Sequence, residues 1–459
     1  MNSVTKTTIL NFFCTIFLQG ISFFTTPIFT RMLGTEQYGI YSVFFSWVSI
    51  VGCFLGLGVY NSIGTGQYQF KNSYYEFKSS LLLLSFTISF VMISIISITP
   101  ISKILGYTKE WIVLLCVISF SELTIKFIQT SYIYEKKADK NVKFSILISV
   151  LSVVISMILI PFFPSDKKYL GRIYGIAIPY IMISGAMWIP IFMKSPPKIC
   201  CRYCKYAIFF GIPMVFHSLA QNILAQSDRV MMQKYDIPNS EIGIYSLFYT
   251  LSSVLSIILI SLNNSWCPFY YDDLNLKEYG RLKIKCRNYM ELFTVITFGF
   301  LMLSREVSYI LANKEYWSGI NIIPIIVLSV YFTFMYQFPV NFEFFHKKAQ
   351  IIAVGTFVAA GINIILNIIM IPVWRMYGAA ISTTISYGIL FFVHHIIVSS
   401  FKNVTYHLSL RNFVPGLIIV LCGIGIYYVL ADFWIIRWLI GGFIGVFELK
   451  RIFRRKTIF

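Results

Sequence analysis

Long apolar runs separated by short polar connections make up most of the chain. Each run is about 20 residues long, the length that a helix needs to cross the hydrocarbon core of a bilayer. The apolar positions are continuous rather than alternating, which favours helices over a membrane barrel. The pattern predicts fourteen spanning segments, at residues 8–29, 40–60, 79–99, 111–133, 144–163, 172–193, 206–227, 242–263, 288–312, 317–340, 350–372, 375–399, 413–431 and 433–449. The longest connections between segments are predicted at 61–78 and 264–287.

The composition supports a membrane protein. Of the 459 residues, 57% are hydrophobic and only 12% are charged, whereas soluble domains carry about 25% charged residues. The first apolar run is longer than the core of a signal peptide, and no small-residue cleavage site follows it. We therefore expect this run to remain as the first membrane helix.

The positive charges predict an orientation. The formal net charge is +19, and the lysines and arginines lie in the connections rather than in a stretch with interleaved aromatic residues that would suit nucleic acid. With the N-terminus in the cytoplasm, 25 of the 38 basic residues fall on the cytoplasmic side and 12 on the outer side, and Lys126 lies within a segment. The positive-inside rule therefore predicts that both termini are cytoplasmic.

Short motifs recur in the same order in the two halves of the chain. Gly-Ile-Tyr-Ser occurs at 39 and 243, Lys-Lys-Ala at 136 and 347, Ile-Pro at 160 and 371, and Tyr-Gly at 174 and 377. Each repeat unit holds six segments, an even number, so the repeat is expected to be parallel, with its axis along the membrane normal. The alternative is convergence on common connection chemistry. The predicted fold is an all-α polytopic membrane protein with about 14 transmembrane helices: a six-helix lobe at 1–200, a second at 201–400, and two extra helices with a basic cytoplasmic tail at 401–459.

Polar stripes follow the first and seventh segments. Four polar residues of the first segment share one helical face: Asn11, Thr15, Ser22 and Thr26. The seventh segment carries a comparable set: His217, Gln221, Asn222 and Asp228. Because polar groups that face lipid are costly, these stripes are predicted to line a cavity. The alternative for the serines and threonines is bonding to their own helix backbone.

Glu122 and Lys126 are four residues apart in the fourth segment, so they share a face and can pair. An ionisable pair at membrane depth is a candidate functional site. The alternative is a structural ion pair that fixes helix packing, with Lys126 extending toward the interface. If Lys126 reaches a cavity, it suits an anionic ligand such as phosphate.

Two arginines occupy matching positions at the ends of the two striped segments, which favours a function for them. Arg31 and Arg229 lie at the ends of the first and seventh segments, where an arginine also complements the helix dipole, and Asp228 adjoins Arg229. Glu291 and Glu343 are expected to be solvated near the cytoplasmic ends of their segments.

Three further sets of residues are interpreted without a functional role. The adjacent His394 and His395 are expected to pack or to form a hydrogen bond rather than bind a ligand. Cys53 is interpreted as a small hydrophobic residue. The Cys201–Cys204 spacing is a weak metal signal without a second pair, and the sequence contains neither a phosphate-binding GxxxxGK[ST] loop nor an HExxH helix. No cofactor or metal is expected.

The stretch "PIFTRMLGTEQYGIYSVFFSWVSIVG" resembles the N-terminal signature of the polysaccharide biosynthesis protein family, through Pro27, Arg31, Leu33-Gly34, Tyr38-Gly39 and Tyr41-Ser42. The stretch "SDRVMMQKYDIPNSEIGIYSLFYTLSSV" is similar to the seventh-helix region of that family. The family lies within the multidrug/oligosaccharidyl-lipid/polysaccharide exporter superfamily. The residues that match the family's motifs lie within about 25–60 and 225–255.

The resemblance implies a flippase of O-antigen or capsule type in a bacterial inner or plasma membrane. It implies transfer of an undecaprenyl-pyrophosphate-linked oligosaccharide to the outer leaflet, an H⁺ or Na⁺ gradient as energy source, and a glycan polymerase and chain-length regulator as partners. The resemblance implies that Arg31 and Arg229 contact the headgroup of the lipid-linked substrate, with Asp228 as their partner. It implies no role for Glu122 and Lys126, which lie outside the family's motifs. The alternatives are a drug/cation antiporter of the same superfamily, or a membrane-embedded glycan polymerase or acyltransferase.

Overall fold

The computed structural model describes the backbone of residues 3–99, 106–401 and 406–454, and the side chains of residues 23–99, 106–348, 350–401, 406–448, 450 and 451. Within these ranges the regular structure is helical and contains no strand. Large apolar side chains face outward, such as Ile98, Phe209 and Phe443, which are 84%, 76% and 75% exposed. A protein with this surface needs lipid as its solvent. The predicted all-α, polytopic membrane fold is confirmed.

Every predicted segment coincides with helix. The α-helices are α1 Ser3–Gly52, α2 Ile63–Gln69, α3 Tyr74–Ile98, α4 Lys109–Tyr134, α5 Ala138–Leu159, α6 Lys168–Ala186, α7 Trp188–Lys194, α8 Cys201–Lys234, α9 Asn239–Asn275, α10 Tyr279–Leu311, α11 Ile323–Phe345, α12 Ala349–Ser399, α13 Val414–Val429 and α14 Trp434–Arg454. Short 3₁₀ helices lie at Leu55–Ser62, Lys71–Ser73, Ile160–Phe162, Lys314–Ile322 and Leu410–Asn412. By length and composition, nine helices in the described part can cross a membrane, or ten if one bent pair counts as a single span.

Two of the α-helices contain a break, so each covers two predicted segments. In α1 the break is at Gly34, whose φ of 72° is readily available only to glycine. In α12 the break is at Arg375, with φ 51° and ψ −126°. The α12 break coincides with the predicted boundary between segments 350–372 and 375–399.

The chain packs into two compact units. The N-terminal unit comprises Met1–Gln233 and Pro238–Ser240, and the C-terminal unit comprises Lys234–Ile237 and Glu241–Phe459. Helix α8 therefore packs almost entirely with the N-terminal unit. The ranges 1–200, 201–400 and 401–459 stay a prediction, since packing does not define a sequence repeat.

The Lys-Lys-Ala motif ends a helix in the same way in both units. Lys136 and Lys347 have left-handed φ angles of 58° and 57°. After each, the amide of the following lysine donates to a carbonyl five residues back, Lys137 to Tyr132 and Lys348 to Glu343, both at 2.9 Å. The left-handed lysines also donate to carbonyls three residues back, Lys136 to Ile133 and Lys347 to Phe344, both at 3.0 Å. The two bonds at each helix end form a Schellman motif with lysine in the left-handed position. Helices α4 and α11 end 211 residues apart, and α5 and α12 begin 211 residues apart. The motif therefore marks equivalent structural positions.

The prediction of a long loop at 264–287 is wrong, because most of this range is helical. Helix α9 continues to Asn275 and α10 begins at Tyr279. The 37 residues of α9 extend about 55 Å at 1.5 Å per residue, well beyond a hydrocarbon core of about 30 Å. Beyond that core the two helices are joined by an ion pair between Asp273 and Lys285, 2.9 Å apart, with both side chains at most 5% exposed. The connection predicted at 61–78 is largely helical too, since it contains α2 and the start of α3.

The predicted solvation of Glu343 is also wrong. Its carboxylate is fully buried and lies 2.8 Å from Nδ1 of His394, which is fully buried as well. A buried carboxylate needs such a partner, since desolvation without one is costly. The predicted hydrogen bond of the histidine pair is confirmed for His394.

The two extra helices are part of the C-terminal unit. Arg437 of α14 is buried and pairs with Glu306 of α10, whose other carboxylate oxygen accepts a hydrogen bond from Trp438 Nε1 at 3.1 Å. From α13, the Tyr427 hydroxyl donates to the carbonyl of Ile320 at 2.9 Å. These polar contacts fix apolar helices at defined positions.

Gly378, in the second Tyr-Gly motif, allows the two parts of α12 to pack closely. A Cβ atom added there would lie 2.6 Å from the carbonyl carbon of Met370. We expect Gly378→Ala to cost about 1–3 kcal/mol of stability through overpacking and to lower the thermal unfolding midpoint in detergent. Gly361→Ala on the same helix is the matched control, since nothing lies within 4 Å of its added Cβ. Equal midpoints for the two variants would contradict the close approach.

Candidate functional site

The predicted second segment is broken near its end. After Gly52, the backbone turns through three residues with left-handed φ angles: Gly56 at 71°, Leu57 at 45° and Gly58 at 63°. The helices on either side, Phe23–Gly52 and Leu55–Gln69, are bent by 64°. Glycine adopts these angles without steric penalty, but leucine does not. Leu57 is therefore a strained residue that its surroundings must hold in place.

Side chains within the break donate hydrogen bonds to backbone carbonyls that have lost their regular helical partners. Asn61 Nδ2 donates to the Gly58 carbonyl at 3.0 Å, and the Ser62 hydroxyl donates to Val59 at 2.7 Å. The neighbouring amides form i to i−3 bonds, such as Leu57 to Phe54 at 3.2 Å. Irregular backbone at membrane depth is tolerated where protein or a polar cavity surrounds it.

Helix α8 packs directly against the break. A Cβ atom at Gly211 would overlap the carbonyl oxygen of Leu57 and lie 3.1 Å from the Gly58 carbonyl carbon. A Cβ atom at Gly58 would lie 2.9 Å from the Gly211 carbonyl oxygen. This glycine–glycine contact places α8 beside the polar part of the broken segment.

A small polar cavity of about 90 Å³ lies in the N-terminal unit between the break, α4 and α8. It is lined by Val48, Ser49, Gly52, Cys53, Gly58, Tyr60, Asn61, Ser119, Glu122, Leu123, Lys126, Met214, Val215, Ser218 and Asn222. Most of the polar side chains in this lining are neutral hydrogen-bonding groups, and the charged ones are a single carboxylate and a single ammonium.

Glu122 and Lys126 supply the charges of the cavity. The Lys126 ammonium lies 2.8 Å from Glu122 Oε1, and the two side chains are 50% and 29% exposed. The pair is therefore open to the cavity rather than sealed in a packed helix contact. An ammonium in this position can exchange its carboxylate partner for another anion.

The α8 wall of the cavity is tied to the broken segment through Asn222. Its Nδ2 donates to Cys53 Sγ at 3.2 Å and to the Ser218 carbonyl at 2.9 Å. The interpretation of Cys53 as a plain hydrophobic residue is wrong, because its sulfur accepts this bond and lines the polar cavity.

The other predicted site residues lie outside this lining. His217 and Gln221 are half-buried on α8, and Arg31 is exposed near the Gly34 break. Asp228 and Arg229 are buried, at 0% and 6% exposure. The predicted stripe of the first segment falls largely on residues up to 22, whose side chains are outside the described part.

Arg229 belongs to a hydrogen-bond network within the N-terminal unit. Its Nη1 donates to Gln226 Oε1 at 3.1 Å and to the Ala225 carbonyl at 3.0 Å. The same Gln226 oxygen accepts from the Ser46 hydroxyl at 3.1 Å. This network joins α8 to α1.

Asn61, Tyr60 and Ser119 line the cavity but were not predicted. The sequence did indicate the break, through the closely spaced glycines of "GCFLGLGVYN" at 52–61. Glycines can interrupt a membrane helix where the freed backbone groups find other hydrogen-bond partners. The serine on α4 gave no such signal, because serine commonly bonds its own helix. Ser119 does so here, and its hydroxyl also donates to the Val48 carbonyl at 3.0 Å.

A sequence profile of the family described as "Polysaccharide biosynthesis protein" matches residues 4–270. The chain belongs to this family. It is also 20% identical, over 382 residues, to a protein of Haemophilus influenzae described as "Uncharacterized membrane protein"; the match covers 78% of this chain and 90% of that protein.

Solved structures of membrane transporters share the fold. The lipid II flippase MurJ in an inward closed conformation matches with a TM-score of 0.73 and 15% identity, covering 98% of this chain and 99% of MurJ. An inward-facing multidrug resistance MATE family transporter of the MOP superfamily matches with a TM-score of 0.57 and 13% identity, covering 88% and 94% of the two chains. These similarities confirm the fold class.

The geometry predicts that water reaches Cys53 but not Cys116. Cys53 lines the polar cavity, whereas Cys116 is 1% exposed among the apolar residues of α1 and α4. In variants in which every other cysteine is replaced by serine, a small water-soluble thiol reagent should label Cys53 at least tenfold faster, measured by mass spectrometry on folded protein in detergent. Similar rates would show that the cavity is closed to water.

Proposed function

We propose that the protein is a flippase for undecaprenyl-pyrophosphate-linked oligosaccharide repeat units of O-antigen or capsule type. The observation that carries the proposal is Lys126, a half-exposed ammonium in a polar cavity of the N-terminal unit. Membership of the polysaccharide biosynthesis family supports a substrate that contains sugars. The structural similarity to a lipid II flippase supports a lipid-linked cargo.

The task of such a protein is to lower an electrostatic barrier. A pyrophosphate with attached sugars cannot enter about 30 Å of hydrocarbon without replacement of its hydration. Asn222 uses its amide nitrogen within the protein, so it offers its side-chain oxygen to sugar hydroxyls in place of water, as does Asn61. The lipid tail can stay in the bilayer while the headgroup follows a polar path. The cavity of about 90 Å³ is too small for a sugar repeat unit, so we propose that it widens during alternating access.

In this mechanism the substrate phosphate competes with Glu122 for Lys126. Protonation of Glu122 removes the carboxylate charge and frees the ammonium for phosphate, and loss of that proton restores the pair and releases the phosphate. This exchange offers a route to coupling with a proton gradient. A sodium ion beside Glu122 would neutralise the carboxylate in the same way.

The remaining parts of the proposal come from the family resemblance and the charge count. Arg31 and Arg229 are proposed as headgroup contacts, Asp228 as their partner, and His217 and Gln221 as polar residues along the path. We place the protein in a bacterial inner or plasma membrane with both termini in the cytoplasm. A glycan polymerase and a chain-length regulator are the proposed partners.

The second candidate is a drug/cation antiporter. It is favoured by the fold similarity to a multidrug transporter and by Glu122, the acidic residue of the cavity. A membrane-embedded polymerase or acyltransferase is the third candidate; it would change its substrate covalently, whereas we propose transport of the substrate unmodified.

Reconstitution in liposomes separates the three candidates. The probe is a fluorescent undecaprenyl-pyrophosphate oligosaccharide, and the measurement is its accessibility to an external quencher, followed by mass spectrometry of the recovered lipid. We expect a change of leaflet without covalent change. A covalently altered lipid would indicate an enzyme. Movement of a cationic dye with no movement of the lipid would indicate an antiporter.

Lys126→Gln tests the proposed phosphate contact. Loss of a charge-assisted hydrogen bond, worth about 1.5–3 kcal/mol, predicts a flipping rate at least about tenfold lower in the liposome assay, with Lys126→Arg retaining more activity. Lys109→Gln is the control, because it removes an exposed lysine at the start of the same helix. Equal rates for Lys126→Gln and Lys109→Gln at matched protein levels would remove Lys126 from the mechanism.

Glu122→Gln tests the proposed coupling. This variant leaves Lys126 without its competing carboxylate, so we expect tighter retention of the lipid and a flipping rate that no longer responds to an imposed pH gradient. Wild-type and variant liposomes are compared with and without the gradient. An unchanged gradient response in Glu122→Gln would refute coupling through this residue.

A further inference from the structure

A second polar cavity of the N-terminal unit lies apart from the one containing Lys126. It has a volume of about 490 Å³ and is formed where α2, α3, α4 and α7 begin or end. Lys71, Lys137 and Lys194 line it together with Tyr75, Glu76 and Glu135. An adjoining cavity of about 110 Å³ shares Tyr75, Glu135, Lys137 and Lys194 and adds Lys78 and Lys140. The ends of these helices lie on the face that the lysine count predicts as cytoplasmic.

One carboxylate that lines this cavity already accepts three hydrogen bonds. Glu135 Oε1 accepts from Lys78 and from the Ser131 hydroxyl, and Glu135 Oε2 accepts from Lys137. The side chains of Lys78 and Glu135 are only 4% and 9% exposed. Burial raises the pKa of the Glu135 carboxyl, but the hydrogen bonds from Lys137 and Lys78 outweigh burial and lower the pKa to about 2. Glu135 therefore stays ionised, and its bonded cations are Lys78 and Lys137, whereas Lys194 bonds to Tyr75.

Lys194 and Lys78 approach the same tyrosine. Each ammonium lies 4.4 Å from the centre of the Tyr75 ring. Lys194 Nζ also donates to the Tyr75 hydroxyl oxygen at 3.0 Å. Because that oxygen accepts from lysine, the hydroxyl proton remains available to an acceptor in the cavity.

The cavity carries more positive than negative charge. Within the described part of the chain, Lys194 and Lys71 lie beyond ion-pair distance of every carboxylate. Glu76, the other carboxylate that lines the cavity, is exposed and accepts a hydrogen bond from the Tyr203 hydroxyl at 3.3 Å. Two exposed ammonium groups and one hydroxyl donor thus surround a space large enough for a lipid headgroup. Basic pockets between membrane helices on the cytoplasmic side bind anionic headgroups.

We propose that this cavity binds the phosphate group of an anionic lipid, with Lys194, Lys71 and the Tyr75 hydroxyl as its contacts. Phosphate suits the cavity because its several oxygens accept from point-charge ammonium groups arriving from different helices. A soluble phosphate ester offers the same chemistry. The proposal is independent of the flippase proposal, since it involves neither Glu122 nor Lys126.

The test uses the full chain in a neutral detergent and measures its thermal unfolding midpoint. The probes are phosphatidylglycerol, inorganic pyrophosphate and phosphatidylcholine. We expect phosphatidylglycerol to raise the midpoint by several degrees through ligand linkage, and phosphatidylcholine to have little effect. A rise with pyrophosphate as well would identify a site that also takes soluble phosphate.

The variant Lys71→Gln/Lys194→Gln should weaken the apparent affinity for phosphatidylglycerol at least fivefold, and Tyr75→Phe should weaken it less. Both lysines are exposed and outside the Glu135 network, so the variant is expected to fold. Lys109→Gln/Lys167→Gln is the matched control, since it removes two exposed lysines of the same unit from outside this cavity. The proposal is overturned if neither anionic probe shifts the wild-type midpoint, or if both double variants respond alike. The liposome flipping assay for Lys126→Gln is a separate readout, so failure of one proposal leaves the other standing.

Discussion

Hydrocarbon does not hydrogen-bond to a peptide group, and this constraint explains the arrangement of the N-terminal unit. Where the second span breaks at Gly56–Gly58, its carbonyls need other partners. Asn61 and Ser62 supply some of these bonds, and the glycine contact packs α8 directly against the same stretch. A polar cavity beside the break follows from this arrangement, because the side chains that satisfy an interrupted helix are themselves polar.

The surroundings of Lys78 and Lys126 distinguish a structural lysine from a candidate functional one. Lys78 is 4% exposed and bonded to Glu135 and Ser131, so its charge serves to join α3 to α4. Lys126 is half exposed and has one carboxylate partner from its own helix, an arrangement that does not join two helices. A charge inside the membrane is costly. A charge that fixes no helix packing needs another reason to be present, and a polar cavity provides the setting for a ligand.

The sequence predicted the helices and their class because apolar runs that are long and continuous, rather than alternating, form helices in a bilayer. It also predicted that Glu122 and Lys126 pair, since the spacing of four is local. It did not predict that Glu343 meets His394 or that Asn222 meets Cys53, because these contacts join residues 51 and 169 positions apart. The helical extension through 264–287 was missed for a related reason: polar residues there suggested a loop, whereas their charges pair between two helices outside the membrane.

The proposed transport requires release of the bound substrate, and the near-neutral cavity suits that requirement. A bare ammonium in a poorly solvated site would hold a pyrophosphate tightly, since ionic hydrogen bonds strengthen as the local dielectric falls. In the proposed mechanism a phosphate at Lys126 displaces Glu122, which lies 2.8 Å away, so the net gain is the difference between two anionic partners. A change in the charge of Glu122 alters that difference directly, because it removes one of the two anionic partners. The scarcity of unpaired charge in the cavity therefore favours reversible binding of an anionic headgroup over permanent occupancy.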